Sequence, residues 1–369
     1  MRRFPSHWVR LVSILVFLFI SIAIFAQENR RPAGPHEPRL GLVEQYPSPV
    51  ITVKSPGAEG NKYGFEGGNV VKLQGTYHLV TTEMTGEPFS VKTKLAHWTS
   101  SDRVHWKRVS TLYESSGEFA GNDPRASLWG PMFIYDRPSQ NWDLIYVAYR
   151  AEPDTATEYR SNYEGTIWRA VSQVKGPSGI DGPYTDAGVL LRPDKDSQPW
   201  EGLQGTDSFF AYQVGNRWLG FYGSANTEHK PVEHWRVGLA EADQLAGPWK
   251  RRADTNPVDF DKRFAENPIV TRLDNGSYIA VYDNDHPNAV GYAWSSDGLH
   301  WLPGRDLVVQ PKGNGFWADN VRTPLGLVAE GHGLFTLFYT GFQKEPGSKD
   351  KDIGVGSIGF IRVKIQSKN

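Results

Sequence analysis

Ala293-Trp294-Ser295-Ser296-Asp297-Gly298-Leu299-His300-Trp301 decides the fold, because Ala96-His97-Trp98-Thr99-Ser100-Ser101-Asp102-Arg103-Val104-His105-Trp106 repeats its plan far upstream. In both, an Asp caps a tight turn between two β-rich runs, and the aromatic that follows is placed to pack between adjacent sheets. Related forms end in Asp181-Gly182-Pro183-Tyr184 and Ala246-Gly247-Pro248-Trp249. These turn residues read as scaffold.

Working outward, each such turn is preceded by another hairpin signal: Gln74-Gly75, Gly215-Asn216 and Asp274-Asn275-Gly276. Two hairpins make four strands per unit. The units fall at 64–109, 128–190, 206–251, 266–308 and from 320 onward. The last lacks its second turn, so an N-terminal strand near 49–54 is expected to complete it and hide an edge. No segment shows sustained helical periodicity. The expectation is an all-β, five-bladed β-propeller, each blade a four-stranded antiparallel sheet, over residues 40–369.

The N-terminus is set aside first. Arg2, Arg3 and Arg10 precede an apolar stretch over 11–25 that ends at Ala26, the pattern of an export signal over 1–26. A polar, proline-bearing leader covers 27–39. The expected location is periplasmic or extracellular, without stable membrane insertion after cleavage, since the apolar stretch is shorter than the roughly 20 residues of a spanning helix; an uncleaved signal anchor is the alternative. Losing the three arginines takes the formal charge from −1 to −4, which argues against nucleic acid as a partner. With no cysteine, thiol catalysis and disulfides are excluded. The sequence leaves the oligomeric state open.

Three acidic residues stand at equivalent places: Glu66 before Gly67-Gly68, Asp207 before Ser208-Phe209, and Glu266 before Asn267-Pro268. In a propeller the first strand of every blade lines the axis, so the heads of those strands share one mouth with the loops between second and third strands. Carboxylates gathered there are the usual apparatus for cleaving glycosidic bonds. Strand heads and loops together bring Trp129, Arg150, His229, Asp283, His286, Asp319 and Arg322 forward as binding residues for a carbohydrate. Trp200 and Trp317 lie near strand heads, where an indole stacks on a sugar or packs in the core.

At these residues the chain resembles the five-bladed glycoside hydrolases of family 43 and their invertase-like relatives. Glu266-Asn267-Pro268 is similar to their Glu-x-Pro acid motif, and Trp129-Gly130-Pro131 to the opening of their second blade. The resemblance implies Glu266 as general acid, Glu66 as base activating water, and Asp207 as the neighbour that raises the acid's pKa. The family's first carboxylate is usually Asp, whereas Glu66 is longer by a methylene and followed by paired glycines. No cofactor or metal ligand set is expected, although Asp and Glu oxygens in the channel could hold a structural cation; no calcium loop of recognised spacing appears. Two other functions fit the same pattern: a glycoside phosphorylase, which needs cations at the mouth, and a glycan-binding propeller without catalysis.

Overall fold

The computed structural model describes residues 37–88, 90–153, 159–309, 316–344 and 354–366. The expected signal and the leader up to residue 36 lie outside the described residues, as does 154–158 in the second unit. The chain divides into Leu40–Gln366 and a second unit, Met1–Arg39 with Ser367–Asn369, of which only 37–39 are described.

After β1 (Arg39–Gln45), β2 (Gly64–Leu73), β3 (Thr76–Met84), β4 (Thr93–Ser100) and β5 (Lys107–Glu114) pair in order. Then come β6 (Ser127–Asp136), β7 (Asn141–Pro153), β8 (Tyr159–Ser172) and β9 (Tyr184–Leu191), and next β10 (Asp207–Val214), β11 (Arg217–Ala225), β12 (Trp235–Ala242) and β13 (Lys250–Arg251). The strands β14 (Glu266–Arg272), β15 (Tyr278–Asp283), β16 (Ala289–Ser295) and β17 (Arg305–Val308) form another four-stranded antiparallel sheet, followed by β18 (Asn320–Gly331), β19 (Leu334–Gln343) and β20 (Val355–Gln366). The sole helical element among the described residues is a 3-10 turn at Pro177–Asp181.

The hairpin turns fall where the sequence placed them, since Gln74-Gly75 and Gly215-Asn216 separate β2 from β3 and β10 from β11. The edge partner of β20 differs from expectation. That strand pairs with β1, whereas Ile51 of the expected 49–54 run adds an isolated bridge to Ile358. The chain turns at once after Ile51, with the N–H of Ser55 donating to Thr52 O, so the run cannot extend into a strand. On the same side β20 meets β2 through one parallel bridge, Gly64 to Gly356. A Cβ on Gly64 would lie 1.9 Å from Gly356 O, so glycine is required there.

The acid-capped turns bind as read. Asp102 Oδ1 accepts the N–H groups of Val104 (2.9 Å) and His105 (2.8 Å), and Asp297 Oδ1 those of Leu299 and His300 (both 2.8 Å). Their tryptophans reach beyond their own hairpins: Trp106 meets Phe338 of β19 edge-on at 5.8 Å, and Trp301 lies 5.4 Å from Phe221 in another sheet. The Gly-Pro forms behave differently. Tyr184 stacks on Phe133 and Trp249 meets Phe209, each within its own sheet. Gly220 makes the room, because a Cβ there would stand 2.5 Å from Phe209 and 2.9 Å from Trp249. Aromatic burial of this kind contributes about 3–5 kcal/mol per side chain when measured by truncation to Ala.

The first strands touch in a cycle: β2 packs on β6, β6 on β10, β10 on β14, β14 on β18, and β18 on β2. Asn69 fastens one of these contacts by accepting from the N–H of Phe133 (2.8 Å) and donating to its carbonyl (3.2 Å). The heads of the cycle carry the carboxylates.

Candidate active site

Each carboxylate is turned toward the centre by a kink directly after it. Glu66, Asp207 and Glu266 pair with Thr82, Gly223 and Asp283, and in each case the register slips before the next pair. The following residue is left-handed: Gly67 at φ 67°, Ser208 at 54° and Asn267 at 51°. Trp129 obeys the same rule, with Gly130 at 53°. A bulge of this kind re-aims the side chain beside it. Glycine adopts that backbone freely, whereas Ser208 and Asn267 each carry a cost of about 1–2 kcal/mol. Gly68 is the tightest point, since a Cβ would lie 1.9 Å from Val80 O.

The re-aimed side chains meet in a cavity of about 310 Å³, lined by Glu66, Asp207, Glu266, Trp129 and Arg322 together with Tyr149, Asn162, Gln204, Trp235, Asn320 and Phe342. That volume is at the lower end of ligand-sized pockets, which run from roughly 300 to 1,000 Å³. Segment 263–265 sets Glu266 in place: Trp235 N–H donates to Arg263 O (2.9 Å) and Ala265 N–H to Trp235 O (3.0 Å). Tyr149 is admitted by Gly165, where a Cβ would stand 2.5 Å from the tyrosine ring.

Arg322 is the electrostatic centre. Its Nη2 lies 3.8 Å from Glu66 Oε1 and 3.5 Å from Glu266 Oε2, so these two oxygens are no farther apart than the sum, about 7.3 Å. Its Nε stands 2.9 Å from Asp283 Oδ2, a close ion contact out of line for a hydrogen bond. Asp283 is 1% exposed and sits beneath the cavity lining. Thr323 Oγ1 donates to Glu66 Oε1 at 3.3 Å.

Asp207 and Glu266 are neighbours whose titrations are linked, and their surroundings favour the proton on Glu266. Burial pushes the Glu266 carboxyl well above the ordinary range, and the negative charge of Asp207 pushes it further, against the opposing pull of Arg322. Asp207 is also raised by burial, against the opposing pull of donors: the Tyr149 hydroxyl, the N–H of Ser208 (2.6 Å) and Gln204 Nε2 (3.0 Å). Burial raises Glu66 too, offset by Arg322. The cavity therefore sets a carboxyl whose proton is favoured by burial and by Asp207 within about 7.3 Å of a second carboxyl that is braced by a cation.

This architecture is a β-propeller. The chain matches no protein-family model and no curated protein by sequence. Among solved structures it is similar to a family 117 glycoside hydrolase of the marine bacterium Zobellia galactanivorans, at 12% identity and a TM-score of 0.59 over 91% of this chain and 92% of that one. It is similar also to a structure described under the GH130 family of mannoside phosphorylases that contains hydrolases acting on β-1,2 mannosidic linkages in Candida mannan (13% identity, TM-score 0.58, 90% and 96% covered). A third is an α-L-arabinanase mutant from Cellvibrio cellulosa (13%, 0.51, 80% and 90%). At these identities the likeness is one of fold, and it accords with the resemblance to family 43 drawn above.

Of the residues singled out in the sequence, Glu66, Asp207, Glu266, Trp129 and Arg322 line the cavity, and Asp283 braces Arg322 from below. Four others lie elsewhere. Arg150 donates to Gly121 O (2.8 Å) and pairs with Glu164 (2.9 Å); His229 faces Glu233 at 3.9 Å with half its side chain exposed. His286 faces Asp306 at 3.3 Å, and Asp319 accepts the Lys344 N–H at 2.8 Å instead of meeting Arg322. Loop position brought Arg150, His229 and His286 forward and a strand-head position Asp319; Arg150 instead lies on β7, and each of the four meets a partner outside the cavity lining. Trp200 and Trp317 pack in the core, against Tyr222 and Tyr339. Sequence reading missed Tyr149, Asn162, Gln204, Trp235, Asn320 and Phe342; Asn320 alone carried a usable signal, two positions before Arg322 at a strand head.

Proposed function

We propose that this protein is an exported glycoside hydrolase that cleaves glycosidic bonds in oligo- or polysaccharides. In this reading Glu266 protonates the leaving oxygen, Glu66 activates water on the opposite face, and Asp207 keeps Glu266 protonated. Trp129, Trp235 and Phe342 offer apolar faces for a sugar ring. The observation that carries the reading is the Glu266–Asp207 contact with Glu66 held on the same guanidinium. The ceiling of about 7.3 Å admits the roughly 6.5–9.5 Å that gives inversion as well as the roughly 5–5.5 Å of retention, and inversion is the reading proposed. The resemblance to family 43 supports that stereochemical choice.

We likewise propose that the fold has five blades, with β1 as the outer partner of β20 in the last. The cycle of first-strand contacts supports it. The basic and apolar N-terminus supports export to the periplasm or beyond.

Hydrolysis is preferred to phosphorolysis on charge. Arg322 is the sole cation lining the cavity among the described residues, and it already faces Glu66, Glu266 and Asp283. An incoming phosphate would meet a net negative pit. Screening glycosides and oligosaccharides with and without phosphate, with the anomer of the first product read by NMR, tests the proposal. Hydrolysis with inverted configuration is expected; turnover that requires phosphate, or glycan binding without any turnover, would overturn it.

A further inference from the structure

Away from the cavity, His78 on β3, His97 on β4 and Asp181 at the end of the 3-10 turn bring three metal-ligating side chains together between the first and second sheets, with one potential ligand atom of each within 4.8 Å of the others. None of them lines the carboxylate pit. His97 is fully buried, yet its Nδ1 has no hydrogen-bond partner. Asp181 Oδ1 faces that nitrogen from 3.6 Å, too far for a good hydrogen bond. The separation is close to the ~3.4 Å between two ligand atoms that sit about 2.0–2.2 Å from a tetrahedral zinc ion.

The other ring nitrogen explains the orientation. His97 Nε2 is 3.0 Å from His78 Nδ1, and with its proton given to His78 the Nδ1 lone pair points at a carboxylate. A cation between them satisfies both. Phe133 closes one side, its ring edge-on to His97 at 5.1 Å, while Asp181 keeps 57% of its side chain exposed and leaves an entrance from solvent.

We propose that His97 Nδ1 and Asp181, with His78 holding the His97 ring in place through its hydrogen bond, form a binding site for a divalent transition-metal ion of the zinc class, which clips the first sheet to the second. The imidazole and carboxylate donor set suits zinc and disfavours calcium or magnesium, which take oxygen ligands.

The test uses the full chain without an affinity tag, stripped with EDTA and reloaded with Zn2+. About one zinc per chain should survive gel filtration, and Tm should rise by about 4 °C at a hundredfold excess of zinc over Kd. Asp181→Asn, at an exposed position, should fold normally, lose the Tm rise and bind zinc at least about tenfold more weakly. His78→Asn serves as a second variant and should weaken zinc in the same sense. Calcium should give no shift. Zinc stoichiometry near zero, or an undiminished Tm rise in both variants, overturns the proposal and leaves the histidines as a hydrogen-bonded core pair.

Discussion

The repeated unit places acidic residues in two kinds of position, and the two are opposites. At the outer turns, the His105 ring and its backbone N–H hold Asp102 well below the ordinary carboxylate range; Asp297 is lowered by His300 in the same way, against a partial burial that raises it. Both keep nearly half of their side chains in solvent. At the strand heads, burial raises Glu66, Asp207 and Glu266, and neighbouring negative charges raise the two glutamates further. A scaffold acid is given donors until its charge is comfortable. Those at the heads are crowded around one arginine, with a bulge and left-handed backbone spent to bring three of them there.

The largest effect should follow from neutralising the crowded set. Glu266→Gln and Glu66→Gln are each expected to lower kcat by about 10³-fold, within the range of acid–base assistance. Their Tm should not fall. A carboxyl whose folded pKa is raised stabilises the protein fully only below the ordinary carboxylate range, and that contribution is lost as pH rises through the folded value. Glutamine imitates the protonated form, so Glu266→Gln should gain stability relative to wild type as pH increases. Near-normal turnover by the variant on an unactivated glycoside would remove Glu266 from the chemistry.

Next comes the bulge that aims Glu66. Gly68→Ala sets a methyl 1.9 Å from Val80 O at φ 120°, so the strand must move. A stability loss of about 3 kcal/mol is expected in chemical denaturation, with kcat reduced as the base swings away. Full activity and stability would show that the bulge does not aim the side chain. Asp207→Asn should be milder, lowering kcat by about a hundredfold. Removing its charge lowers the pKa of Glu266, so the alkaline limb of the kcat–pH profile should move to lower pH. A limb that stays in place separates Asp207 from the acid it is proposed to tune.

Strands, hairpins and the acid-capped turns were legible because each is signalled within about ten residues, through Asn, Gly, Asp and alternating aromatics. The three carboxylates were legible because repetition converts equal position into shared space. Arg322 was visible as a strand-head cation. What stayed hidden is whatever depends on contacts between units: Tyr149 reaches the cavity only because Gly165 leaves room beside Gln204, and Trp235 is placed by segment 263–265 of the following unit. Arg150 and His229 show the converse, since a side chain at the end of a unit is readily met by a nearby acid of the same unit, Glu164 for Arg150 on β7 and Glu233 for His229 in its loop. Even the kinks had a trace in sequence, as Gly, Gly, Ser and Asn follow Glu66, Trp129, Asp207 and Glu266, all of them small or tolerant of left-handed backbone.

The smallest effect should come from the comfortable acids, and it is the control that gives the others meaning. Asp102→Asn keeps an oxygen to cap the turn but loses the charge that His105 Nδ1 meets at 2.7 Å. Because the pair is solvent-exposed, the loss should be no more than about 1 kcal/mol at neutral pH. Its pH dependence runs opposite to that of Glu266. A depressed folded pKa gives stability that is present above the ordinary carboxylate range and disappears as pH falls through the folded value, so wild type and Asp102→Asn should converge in acid. Asp297→Asn should behave alike, and the double variant should show the sum, since the two turns lie in different sheets and share no partner. Turnover should be unchanged in all three. A drop in kcat comparable to that of Asp207→Asn would mean that outer turns and strand heads are mechanically coupled, and that the division between scaffold acids and crowded acids is wrong.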